Sequence, residues 1–186
     1  MTTTTKRKKT ATIPDLPNNA FMHEILELVS KQRSGAKKVE VLQKNDNLAL
    51  KTLLLWNFDD SVISVLPPGD VPYGNLKEDV TASGNLSDKI KASGKVNNSI
   101  AEESQRAKKT SIRKECSKFY NFVKGGNDSL SSIRREVMFI NILEGLHPEE
   151  AEILCLVKDK RLQSKYKITK ANVEQAYPDI KWGGRS

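Results

Sequence analysis

Residues 147–178, HPEEAEILCLVKDKRLQSKYKITKANVEQAYP, carry the punctuation that decides the fold. Pro148 suits the first position of a helix, where its missing N–H costs nothing. Glu149 and Glu150 then fall in the first turn, where the helix dipole favours anions. Ile153, Leu154 and Val157 give that helix one buried face. Farther on, Thr169 is a natural cap for a short last helix, with Ile168 and Val173 at the separation of a hydrophobic staple. Pro178 ends it. Two punctuated helices in one stretch predict a mainly α protein.

Upstream, Ser129 is predicted to open a helix with Ile133, Val137, Ile140 and Leu143 facing inward and Gly145 near its end. Before it, Ile112, Cys116, Phe119 and Val123 are spaced four, three and four, which predicts one apolar helical stripe ending at Gly125-Gly126. Nearer the N-terminus, Asn18 or Asn19 can cap a helix bearing Phe21, Ile25, Leu28 and Val29. That helix should fade near Ser34-Gly35. A short helix with Val39 and Leu42 follows, and Asp46 or Asn47 caps a third with Leu50, Leu53, Leu54 and Trp56. The run Val62-Ile63-Ser64-Val65-Leu66 fits a helical turn or a strand equally, so a short strand pair near residues 58–74 is allowed.

The expected organisation is a disordered basic arm over 1–17, a helical block over 18–66, a linker or loop over 67–99, a second helical block over 100–180 and a tail over 181–186. Pro67-Pro68-Gly69 and Pro72-Tyr73-Gly74 punctuate the start of the linker, and Gly84, Gly94, Asn97 and Asn98 continue its polar character. The fold expected is therefore mainly α, with two small helical blocks joined by a long flexible loop.

Of 186 residues, 37% are hydrophobic, below the roughly 45–50% of an average globular domain, so the core is smaller than the length suggests. The formal net charge of +8 favours polyanionic partners. Cys116 and Cys155 both sit in apolar helical patterns and read as reduced, buried thiols. No apolar run approaches the ~20 residues that cross a bilayer, so no membrane partner is expected. Met1 to Lys9 is polar and basic, unlike a secretory signal.

Sites of catalysis find little support. Nucleotide-binding glycine motifs, a Gly-x-Ser-x-Gly elbow and a His-Glu-x-x-His pair are all missing. His23, Cys116, His147 and Cys155 have no structural-zinc spacing, and no metal or other cofactor is expected. His147 and Cys155, on one helix, would stand about 12 Å apart, too far to act together. His147 reads as a residue entering or capping its helix, and His23 as a partly exposed surface histidine. Asp59-Asp60 and Glu149-Glu150 each lie beside a helix end, where carboxylates are ordinary.

Basic segments are the remaining constellation. Lys6, Arg7, Lys8 and Lys9 form an N-terminal arm, and Arg106, Lys109 and Arg113 share a helical face. Lys158, Lys160, Arg161, Lys165 and Lys167 surround Tyr166, an aromatic among cations of the kind that stacks on single-stranded bases. The plainer reading is that such charges are solvated helix faces, and no nucleic-acid-binding signature accompanies them.

Two stretches, LKTLLLWNFDDSVISVLPPGDVPY over 50–73 and MFINILEGLHPEEAEILCLVKDKRLQSKYKITKANVEQAYP over 138–178, resemble an uncharacterised family encoded by T4-type tailed bacteriophages, including those infecting marine cyanobacteria. Relative to that pattern, residues 76–100 look like an insertion. The resemblance implies a phage protein in the cytoplasm of an infected bacterium or in the virion, and supplies no activity or catalytic residue. The function expected is that of a non-catalytic accessory protein binding nucleic acid or an acidic component of the replication or transcription machinery. A virion structural or assembly protein, and an inhibitor of a host defence or host enzyme, are the alternatives. The oligomeric state is left open.

Overall fold

Helices begin where a side chain or tight turn can satisfy their first amides, and the computed structural model, which describes residues 12–72 and 110–185, follows that rule closely. α1 spans Met22–Lys31, α2 Gly35–Lys44 and α3 Leu48–Phe58. Asn47 caps α3 by accepting the Leu50 N–H at 2.8 Å. Ser34 accepts the Lys37 N–H at 3.3 Å, so Ser34-Gly35 starts α2 and does not fade out α1. A capping hydroxyl outweighs the glycine beside it. Asn18 and Asn19 do not cap α1. They sit in a turn closed by Ala20 N–H on the Pro17 carbonyl at 3.0 Å, and Phe21 N–H donates instead to Glu24 at 2.9 Å.

In the second half, α4 covers only Ile112–Glu115 before the chain tightens to a 3-10 helix over Cys116–Phe122. The single long helix expected up to Gly125-Gly126 is therefore corrected. Of its apolar stripe Ile112 and Phe119 are buried and Cys116 and Val123 half-buried, while Phe122, outside the stripe, is buried as well. Val123 leaves the helix to form an antiparallel bridge with Ser64, reinforced by Val65 N–H on the Phe122 carbonyl and Lys124 N–H on the Ile63 carbonyl. So the 62–66 run pairs with the distant chain, not in a strand pair of its own near 58–74. Among the described residues no longer strand forms. Gly126 must be glycine here, because a Cβ would stand 1.8 Å from the Tyr120 carbonyl oxygen.

α5 (Ser132–Gly145) is capped by Ser131, two residues later than expected. Its inward face is also rotated from the expected one. Phe139, Ile142 and Leu143 are buried, whereas Ile133 is 75% and Val137 51% exposed. The aromatic contact decides the rotation: Phe139 packs edge-on to Phe122 with ring centroids 5.1 Å apart. α6 (Pro148–Lys158) starts with proline as predicted, and α7 (Lys170–Ala176) is capped by Thr169, with Ile168 and Val173 both buried.

One hydrophobic cluster contains residues from both helical blocks. α1 and α3 pack on α6, and α2 packs on α7. The two blocks thus share a core. The last described residues do not trail away as a tail. Arg185 Nη1 lies 2.7 Å from the Asp59 carboxylate, Gly183 N–H donates to it at 3.1 Å, and Trp182 lies under Lys170.

Candidate functional site

The predicted contact residues meet different fates. Lys6, Arg7, Lys8, Lys9, Arg106 and Lys109 lie outside the described residues, as do most of the 67–99 linker and the 76–100 insertion. Arg113 is half-buried and its Nε–H donates to the Ala20 carbonyl at 3.0 Å, tying α4 to the entry of α1. Lys158 is only 2% exposed. Its ammonium donates to the carbonyls of Pro67 and Gly69 and pairs with Asp159 at 2.7 Å, clamping the Pro-Pro-Gly turn. Lys160 donates to the Trp56 and Asp59 carbonyls at 2.8 and 2.7 Å, closing the C-terminus of α3 where the dipole favours a cation. These three cations are structural.

Tyr166 corrects the stacking idea. Its ring is 1% exposed, and its hydroxyl has no hydrogen-bond partner among the described residues. Burial, with Glu152, Glu149 and Glu27 nearby, pushes its hydroxyl pKa up. A ring enclosed this way cannot receive a base. Lys165 pairs with Glu152 at 2.6 Å, and its ammonium lies over the Tyr166 ring, 5.4 Å from the centroid. Arg161, Lys165 and Lys167 remain at the surface.

Around Lys167 the fold gathers further cations. Lys167 N–H donates to the Ser30 hydroxyl at 3.3 Å, and its carbonyl accepts from the Lys38 ammonium. Gly35, the first residue of α2, faces the Asn172 side chain of α7. The α1–α2 turn, with Lys31 at the end of α1, Arg33 between the helices and Lys37 and Lys38 in the first turn of α2, therefore abuts the segment carrying Lys165, Lys167 and Lys170. Lys31, Arg33, Lys165, Lys167 and Lys170 are exposed. Sequence reading missed the contribution of the turn. The signal was present as cations at 31, 33, 37 and 38, but nothing local tied them to residue 167.

The two histidines also meet, which spacing along the chain did not suggest. His23 is 6% exposed, so it is no surface residue. Its ring stacks on His147 at 4.7 Å and on Phe21 at 5.4 Å, and its Nε2 lies 3.4 Å from Glu149. His147 caps α6, its Nδ1 accepting the Glu149 N–H at 3.2 Å. Burial, and a hydrogen bond shared with Glu149, hold the Glu27 carboxyl above its usual range against the pull of His23 and Lys31. One residue on, Glu150 is fully buried and accepts the amides of Met22 at 3.0 Å and Ile112 at 3.2 Å. The cluster joins α1, α4 and α6 through these contacts. Neither cysteine joins it: burial pushes the Cys155 thiol pKa up, and both thiols are free. No group of three or more His, Cys, Asp or Glu among the described residues is placed to hold a metal ion.

Fold and surface together define a small, mainly helical protein with one shared core and a composite cationic face. No helix among the described residues is long and apolar enough to cross a membrane. The chain belongs to a family of unknown function (DUF6433), which it matches over residues 25–93 and 89–164. No curated protein and no solved structure matches it.

Proposed function

We propose that this is a non-catalytic accessory protein that binds a nucleic-acid backbone through the cationic face formed by the α1–α2 turn and residues 165–170. The observation that carries the reading is the junction of Ser30 and Lys38 with Lys167, which brings two separate runs of lysine and arginine onto one surface. Phosphate contacts of this kind position a protein without reading sequence. The burial of Tyr166 supports backbone contact and argues against base stacking. Engagement of His23, His147 and Glu150 in helix caps and core contacts supports the non-catalytic part. The setting we infer is the cytoplasm of a bacterium infected by a T4-type phage, on the resemblance of residues 50–73 and 138–178.

Fluorescence anisotropy with labelled single- and double-stranded DNA and RNA tests the reading. Affinity should fall linearly on logarithmic axes between about 50 and 200 mM salt. Absence of binding to every probe at the low end overturns it. Binding confined to an acidic protein of the replication or transcription machinery would replace nucleic acid as the partner.

A further inference from the structure

α5 turns its N-terminal half away from the core. Ile133 and Val137, one turn apart, are among the most exposed large apolar residues described. Beside them lies a recess of about 470 Å³, floored by Met138 and Ile142 and walled by Thr110 and Lys118. Apolar ridges this exposed usually mark a contact. The charges on the same helix indicate its occupant. Arg134 borders the recess near one end of α5, and Glu144 stands near the other. Both are exposed, and neither has an ion-pair partner among the described residues. A polyanion would meet Glu115 in the recess wall and Glu144, so this face is unsuited to the partner proposed above.

We propose that α5 is the contact between two copies of this chain, packed antiparallel about a two-fold axis. An isologous interface needs one patch that complements itself. This one offers a ridge, a recess and a charge of each sign separated by about 15 Å of helix. The register that sets Arg134 against Glu144 of the second copy also sets Val137 against Asn141 of the second copy, over the recess between Met138 and Ile142. Each contact occurs twice. The C-terminal half of α5, with Phe139 and Leu143 turned inward, stays anchored to its own core.

Sedimentation equilibrium of the full chain over a wide concentration range tests this independently of nucleic acid. A dimer is expected. Val137→Asp, at an exposed position, should leave the circular dichroism unchanged and yield a monomer. Arg134→Glu should raise the dimer dissociation constant about tenfold or more, since a like-charge contact then replaces an attraction at both ends. Glu144→Arg should do the same, and the double exchange Arg134→Glu/Glu144→Arg should restore dimerisation. A monomer at all concentrations overturns the proposal. So does a dimer that survives Val137→Asp, or one weakened by each single exchange and not rescued by the double.

Discussion

The imidazoles of His23 and His147 stack with ring centroids 4.7 Å apart and planes 18° from parallel. His23 comes from α1 and His147 caps α6, so the pair joins the two helical blocks face to face. His147 has two tasks there, accepting the Glu149 N–H and covering His23. His147→Ala removes both and should cost about 1–2 kcal/mol in urea unfolding. His147→Asn keeps a capping acceptor and should recover about half of that loss.

Glu150 makes a second tie between the blocks, since its two carboxylate oxygens accept amides from Met22 and Ile112. Glu150→Ala strands both buried donors and should destabilise by about 2–4 kcal/mol. Glu150→Gln keeps one acceptor but sets its NH2 against the other amide, so it should recover only part of that loss. Equal losses in the two variants would show that the paired carboxylate oxygens, not side-chain volume, hold this junction.

Asp59 links the end of α3 to the C-terminal segment. Burial alone would raise its carboxyl pKa. Hydrogen bonds from Ser61 and Gly183, and the Arg185 charge, outweigh burial and hold it at about 2. A depressed folded-state value means the stabilisation is present above the unfolded-state pKa and is lost as pH falls through the folded one. Asp59 should therefore contribute on the order of 1–2 kcal/mol at neutral pH that disappears between about pH 4 and pH 2. In Asp59→Asn, the drop in unfolding free energy across that window should shrink by this amount.

Tyr166 holds a buried hydroxyl that no described group satisfies. Removing it leaves the ring's packing in place and relieves a desolvation cost. Tyr166→Phe should be neutral or more stable by up to about 1–2 kcal/mol. Nucleic-acid affinity in the anisotropy assay should not change, because the ring contacts no base. A fall in affinity with stability preserved would return Tyr166 to the binding surface.

Lys31, Arg33 and Lys167 should act as phosphate contacts. Lys31→Ser/Arg33→Ser should lower the slope of log affinity against log salt by about 2 if each neutralises one phosphate, and Lys167→Ser by about 1. Lys160→Ser is the control. Its ammonium is held by the Trp56 and Asp59 carbonyls, so stability should fall while the salt slope stays constant.

Helix identity was legible wherever the deciding interaction spans three or four residues. Asn47 on Leu50, Thr169 on Asn172 and Pro148 before Glu149 are local geometry, and α3, α6 and α7 stand where those residues predict. Orientation was less legible. On α5, periodicity allowed an inward face through Ile133 and Val137, but Phe122 on a separate segment engaged Phe139 and turned the helix.

The amino-acid order by itself determined that the protein is mainly helical, where α3, α6 and α7 begin, and that it carries a large positive charge. Tertiary structure alone decided which polar groups remain available. It buried Lys158 and Tyr166, stacked His23 on His147, docked Arg185 on Asp59 and carried Lys31 and Arg33 to Lys167. The physical reason is range: capping and periodicity act within a turn or two of helix, whereas burial and charge clustering depend on segments that only the folded chain brings together.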